Sequence, residues 1–323
     1  LAAHAGVRHC VAVASGTDAL LISLMALDIG PGDEVIVPAF TFAATAEVVI
    51  LAGATPVLAD IHPDTCNLDS AEIEALIGER TRAIMPVSLF GQPADMEEIN
   101  AIASRHGLAV IEDAAQSFGA VYRNRRSGAL STIGCTSFFP SKPLGCYGDG
   151  GALFTDDEAL ATACREIRVH GQSQRYQHSR IGVAGRMDTL QCAVVLAKLK
   201  RFDWEIARRI EIGERYNRLL DARGIERVVQ RGDRTSVFAQ YTILADDRDG
   251  LAARLGAAGI PTAIHYPVPL NAQPAYRDRC IAGPLPQSER AAERVLSLPM
   301  HPYLEEEVQD RIVAALEKAV DGA

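Results

Sequence analysis

Short β-branched apolar runs alternate with longer amphipathic stretches through the first two thirds of the chain. The runs His9–Ala14, Glu34–Pro38, Thr55–Ala59, Ala83–Val87, Ala109–Glu112, Cys135–Phe139 and Gly151–Thr155 predict seven strands. Between them, Thr17–Asp28, Ala43–Ala52, Ser70–Ile77 and Met96–His106 carry helical patterns. Turn signals such as Gly30-Pro31-Gly32-Asp33 and Asp60-Ile61-His62-Pro63 separate the two kinds of segment. Strand, helix and strand in succession imply right-handed crossovers, hence an α/β fold with a mostly parallel seven-stranded sheet and helices on both faces.

After Ala184 the texture changes. A long helical stretch from about Met187 to Arg223 places apolar residues at Leu190, Val194, Leu196, Leu199, Ile206, Ile210, Tyr216 and Leu219, with Gly224 as its stop. A strand (Val237–Leu244), a helix (Asp249–Ala258), a proline-rich segment and a terminal helix (Glu305–Val320) follow. This predicts a large domain over residues 1–203 and a smaller α+β domain over 204–323. No internal repeat or low-complexity tract interrupts the pattern.

Charge narrows the partners. The 323 residues carry 32 Lys+Arg against 41 Asp+Glu, a net of −9, which argues against a nucleic-acid or anionic-membrane surface. Seven scattered cysteines with no CxxC pair predict reduced thiols in the cytoplasm and no metal site. The longest apolar run, Val48 to Ala59, is broken by Gly53 and Pro56 and is too short for a bilayer. The chain opens on Leu1, in what reads as a helix end, so a segment ahead of it is expected.

Three stretches could carry chemistry. Ser15-Gly16-Thr17-Asp18 lies between a strand and a helix, where first-turn amides and the helix dipole attract an anion; Ser15 or Thr17 would equally serve as an ordinary helix cap. Val110-Ile111-Glu112-Asp113-Ala114-Ala115-Gln116 ends an apolar strand in carboxylates, and Asp113 there could hold a proton on a ring nitrogen, bind Mg²⁺ or cap a helix. Ser137-Phe138-Phe139-Pro140-Ser141-Lys142-Pro143-Leu144-Gly145, before Gly148-Asp149-Gly150-Gly151, shelters a single lysine whose amine becomes nucleophilic if desolvated. A phosphate-capable turn, a strand-end carboxylate and a sheltered lysine together are what pyridoxal phosphate requires.

The ordered set SGTDAL, PAFTF, IEDAAQ, SFFPSK and GDGG strongly resembles the DegT/DnrJ/StrS family of sugar aminotransferases, and the likeness runs to His265-Tyr266-Pro267. The resemblance implies a pyridoxal-phosphate-dependent transferase of fold type I, a homodimer with active sites at the subunit interface, and an N-terminal stretch lining the sugar site. By it, Lys142 bonds the cofactor's aldehyde and Asp113 partners its ring nitrogen. Gln116 sits near the phenolic oxygen, Phe42 stacks on the ring, and Gly16, Thr17 and Ser137 hold the phosphate. Relatives carry an asparagine two residues before the arginine matching Arg186; Ala184 stands here, which removes one donor to the partner's cofactor phosphate at about 1–3 kcal/mol.

Between Arg165 and Arg186 five arginines and two histidines face one acid, Glu166, a local positive island in an acidic chain. It suits a solvated loop or a diphosphate or carboxylate site. The stretch from Gly259 to Leu270 resembles the branch acting on UDP-linked 3-keto uronic acids of surface-polysaccharide pathways. That likeness implies Arg186 for the sugar carboxylate, with Ser141, His265 and Tyr266 also on the substrate and glutamate as amine donor. A 4-keto sugar aminotransferase and a non-catalytic pyridoxal-phosphate-binding regulator are the alternatives. A sugar dehydratase of the family would carry histidine in place of Lys142, and a dinucleotide-binding oxidoreductase would need a glycine fingerprint this chain lacks.

Overall fold

The structure, a computed structural model, describes residues 1–321. Its central feature is an eight-stranded sheet. The strands are β1 (His9–Val13), β2 (Glu34–Pro38), β3 (Thr55–Ala59), β4 (Thr81–Ile84), β5 (Ala109–Asp113), β6 (Ile133–Ser137) and β7 (Gly151–Thr155), with a late two-residue strand described below. The helices in this region are α1 (Gly16–Ala26), α2 (Ala44–Leu51), α3 (Ser70–Leu76), α4 (Met96–His106) and α5 (Glu158–Ile167).

Strands β2 to β6 run parallel, while β7 is antiparallel to both of its neighbours, β1 and β6. Two reversals bring β1 back to the direction of β6. The carboxyl ends of β1, β5 and β6 therefore open on the same edge, where ligands of open α/β sheets bind. Register makes this concrete: Gly151 pairs with both Val13 and Ser137, and Asp113 pairs with Cys135. Burial on both faces explains the apolar runs; all five residues of β2 and of β7 are buried.

Several elements differ from the pattern-based expectation. β4 ends at Ile84, short of Val87, because Pro86 has no amide to donate; Val87 makes an isolated bridge with Asp113. β6 stops at Ser137, short of Phe139, although the Phe138 amide still donates to Gly150 O at 2.7 Å. Helix α5 was unexpected; Asp157 caps it by accepting from the amides of Ala159 and Leu160, at 2.7 and 3.0 Å.

Helix α6 (Thr189–Asp221) crosses the expected boundary at residue 203 and serves two cores. Val195 and Phe202 pack with Phe118 and Phe154, whereas Ile212, Tyr216 and Leu220 join Leu296 and Leu316. The expected core face is corrected at its start: Leu190 is 80% and Leu196 59% exposed, and Val195 takes the buried position. The 3.6-residue period leading back from Phe202 selects Val195, and Leu196 lies one step of about 100° away.

Beyond α6 lie β8 (Tyr241–Leu244), α7 (Arg248–Ala257), β9 (Ile281–Ala282), α8 (Pro286–Arg294), β10 (Val295–Leu298) and α9 (Glu306–Asp321). β8 pairs antiparallel with β10, and only the last four residues of the predicted Val237–Leu244 strand form it. β9 is the eighth strand of the large sheet, parallel to β3. Among the described residues no helix is long and apolar enough to cross a membrane.

Candidate active site

The turn after β1 divides its duties between neighbours. Ser15 is the helix cap, its Oγ accepting from the amide of Asp18 at 3.0 Å. That leaves Gly16, Thr17 and the first-turn amides of α1 facing a cavity, with the positive end of the helix dipole behind them. Gly16 permits close approach: a Cβ there would lie 2.7 Å from the Cβ of Ser137 at the end of β6. The result is a cup between a helix N-terminus and a strand-end hydroxyl. Gly16→Ala is expected to force the two apart and release a phosphate-bearing cofactor at least about tenfold faster, with unchanged circular dichroism. Dissociation followed by absorbance during dialysis checks this, and unchanged release would show that the cup does not hold phosphate.

Asp113 ends β5 and is buried. Its Oδ1 accepts from the amide of Ala115 at 3.1 Å and its Oδ2 from Thr45 Oγ1 at 3.3 Å. Burial pushes its pKa up, while the Ala115 amide, the charge of Lys142 and the Thr45 hydroxyl pull it back. Lys142 experiences the converse: burial lowers its pKa, and Asp113 opposes the shift. The loop bearing Lys142 is fastened to its own stem, where the amide of Cys146 donates to Phe138 O at 2.7 Å. Helix α6 adds two further ties, from Lys198 Nζ to Gly145 O and from the Tyr147 amide to Gln191 Oε1 at 2.8 Å.

On the opposite wall, Gln116 is fixed at both ends of its amide. Its Oε1 accepts from the Phe90 amide at 2.8 Å, and its Nε2 donates to the Tyr266 hydroxyl at 3.1 Å. Phe42 is 53% exposed, with its ring 5.9 Å from that of Tyr266, so an aromatic face is left open at the mouth. His265 directs Nδ1 at Ser297 Oγ, 3.1 Å away.

All the predicted site residues except Arg186 line a single cavity of about 460 Å³: Gly16, Thr17, Phe42, Asp113, Gln116, Ser137, Ser141, Lys142, His265 and Tyr266. Arg186 is exposed and lies apart from it. The positive island is also less free than its composition suggests. Arg165 meets Glu158 at 3.6 Å, Arg180 meets Glu166 at 3.1 Å, and Arg168 donates to Ala12 O at 2.6 Å. Thr45, Gln191, Lys198 and Gln240 escaped the sequence reading. Gln240 lines the cavity, and its buried Oε1 has no partner among the described residues.

Comparison with known proteins places this geometry. The profile of the DegT/DnrJ/EryC1/StrS aminotransferase family matches residues 1–317. The chain is 56% identical to the UDP-2-acetamido-2-deoxy-3-oxo-D-glucuronate aminotransferase of Pseudomonas aeruginosa over 316 residues, covering 98% of this chain and 88% of that protein. It superposes with a TM-score of 0.95 on the crystal structure of a DegT DnrJ EryC1 StrS aminotransferase from Brucella abortus, at 48% identity over 97% of this chain and 86% of that one. NtdA from Bacillus subtilis, solved with bound cofactor PMP, superposes with a TM-score of 0.90 at 34% identity, over 98% and 74% of the respective chains.

Proposed function

The chain belongs to the DegT/DnrJ/EryC1/StrS aminotransferase family, a group of pyridoxal-phosphate-dependent sugar aminotransferases, and from that premise we propose that it moves the amino group of glutamate onto a UDP-linked 3-keto-N-acetylhexosaminuronic acid. The observation that carries this reading is the convergence, in one cavity, of Lys142, Asp113 and the Gly16–Thr17–Ser137 cup. The donor set suits the cofactor: a helix N-terminus with two hydroxyls for the phosphate, a buried carboxylate for the ring nitrogen and a sheltered amine for the aldehyde. Gln116 would face the phenolic oxygen, and Phe42 would offer its open face to the ring.

When bound, pyridoxal phosphate supplies an aldehyde that condenses with amines and a ring that accepts an electron pair. The chain's own residues do the rest. Lys142 Nζ, kept available as a base by burial, takes the proton from the donor's α-carbon. In the second half it returns a proton to the sugar carbon that receives the nitrogen. Asp113 holds a proton on the ring nitrogen throughout, with Thr45 and the Ala115 amide fixing its two oxygens. Ser141, His265 and Tyr266 orient the sugar.

Arg186 stands outside its own chain's cavity, and Ile181, Leu190, Leu196 and Tyr147 are large exposed apolar side chains. Both features support a homodimer in which Arg186 reaches the partner's site and binds the sugar carboxylate through paired donors. The acidic surface and free cysteines suit a cytoplasmic enzyme supplying amino sugars for surface polysaccharide.

The test supplies glutamate with a panel of nucleotide 3-keto and 4-keto sugars, with and without a C6 carboxylate, and identifies products by mass. Amination of the 3-keto uronic acid is expected, and amination of 4-keto sugars alone would overturn the substrate assignment. Arg186→Ala should lower kcat/KM for the uronic acid about 30-fold, the worth of one charge-assisted pair at ~2 kcal/mol, and barely change it for an uncharged sugar.

A further inference from the structure

The segment following Pro261 lies alongside β10. The Ala263 amide donates to Ser297 O at 3.1 Å, and the Ser297 amide donates to Ala263 O at 2.7 Å. β10 pairs in turn with β8, where Thr242 stands opposite Ser297. Side chains alternate between the faces of a strand, so paired residues point the same way and His265 follows Ala263 by one full period. Three polar groups therefore form a line. Thr242 Oγ1 is 3.0 Å from Ser297 Oγ, which is 3.1 Å from His265 Nδ1.

The direction of that line is decided by its far end. Thr242 and Ser297 are only 4% and 5% exposed, and buried hydroxyls donate to an acceptor, so the acceptors that the protein itself offers weigh most in their orientation. Suppose His265 Nδ1 carried the proton. Ser297 would accept it and donate onward to Thr242, whose own proton would have no acceptor, since Ser297 Oγ is the only one the structure gives it among the described residues. In the opposite direction Thr242 donates to Ser297, Ser297 donates to Nδ1, and both protons are used. The imidazole is then neutral with its proton on Nε2. Its burial and the facing charge of Lys142 disfavour a second proton. Among the described residues Nε2 has no protein partner, and the residue lines the cavity.

We infer that Thr242 and Ser297 are positioning residues that fix His265 as the Nε2–H tautomer, so that it meets the substrate as a hydrogen-bond donor and not as a base. This rests on the reading of His265 as a sugar contact and deepens it. The substrate atom opposite His265 is an acceptor oxygen, such as the ketone, and the smaller half of the chain sets the polarity of that contact.

The tautomer can be read directly. In holoenzyme carrying ¹⁵N-labelled histidine, with the His265 signals assigned by their loss in His265→Gln, the expected spectrum at pH 7.5 shows a protonated Nε2 and an unprotonated Nδ1. Ser297→Ala should admit the Nδ1–H form and lower kcat/KM for the keto-sugar about tenfold, leaving the glutamate half-reaction within about twofold, and Ser297→Thr should restore both. Thr242→Val, nearly isosteric, should shift the tautomer the same way to a smaller degree if Ser297→Ala does not fold. A protonated Nδ1 in the unmodified holoenzyme, or a tautomer indifferent to Ser297→Ala, would overturn the inference. The spectrum needs no substrate, so a protein that aminated no keto-sugar while showing the Nε2–H form would refute the proposed reaction and not the tautomer.

Discussion

Lys142→Ala is expected to lower multiple-turnover kcat by at least about 10³-fold, the combined loss of a nucleophile and of an acid–base group that alone contributes about 10²–10⁴-fold. Among the described residues it is the only lysine lining the cavity, so no second amine can take over the proton transfer. The visible absorbance of the lysine-bonded cofactor should disappear with it. A collapse of the fold would mimic the loss of rate, and the sign of the pKa shift distinguishes the two. Burial lowers the folded-state pKa of Lys142, so the unfolded chain binds that proton more tightly. Stability from this group accordingly rises with pH up to the unfolded value, and at pH 7, far below that value, burying the amine is a liability. The alanine variant should therefore melt no lower than the unmodified protein at pH 7. Normal turnover in a folded Lys142→Ala protein would remove the basis of the aminotransferase mechanism.

What was legible in the sequence follows from where its causes lie. β2, β3 and β7 were bounded to the residue because strands buried on both faces write their burial as an unbroken apolar run. That Gly16, Asp113 and Ser137 would share one cavity was legible because each sits where such a run ends, at the sheet edge where open α/β folds bind ligands. The groups that hold them were not legible. Thr45 acts on Asp113 across 68 residues, Gln191 on Tyr147 across 44, and Ser297 on His265 across 32. No local period encodes such partnerships; they exist only once crossovers and helix packing bring the elements together. The same holds for the arginine island. Its composition shows five cations, while the ion pair of Arg165 with Glu158 and the bond from Arg168 to a β1 carbonyl depend on where α5 lands.

Asp113→Asn should separate catalysis from stability. Asparagine keeps the shape and can still accept from the Ala115 amide, but it cannot hold a proton on the ring nitrogen. The ring then accepts the electron pair poorly, and kcat should fall about 10²–10³-fold, comparable to deleting one preorganised electrostatic contact. The KM for glutamate should change little. The cofactor-free protein should respond in the opposite sense. Burial raises the folded-state pKa of Asp113 above its unfolded value, more than Ala115, Lys142 and Thr45 lower it. Its favourable contribution is thus complete below the unfolded value of about 4 and is lost as pH rises through the folded one. At pH 7, above the unfolded value, burying the carboxyl group costs stability, and replacing it with a neutral amide should raise the melting temperature by about 2 °C or more. Above the folded pKa the gain should be constant; toward pH 4 it should vanish as the native carboxyl takes up its proton. Melting curves of the two cofactor-free proteins between pH 4 and 8, beside single-turnover rates of the loaded enzymes, test both halves. A variant that loses activity and also loses stability at pH 7 would mean that the nearby charge of Lys142 outweighs burial, and that Asp113 is held for the fold as well as for the cofactor.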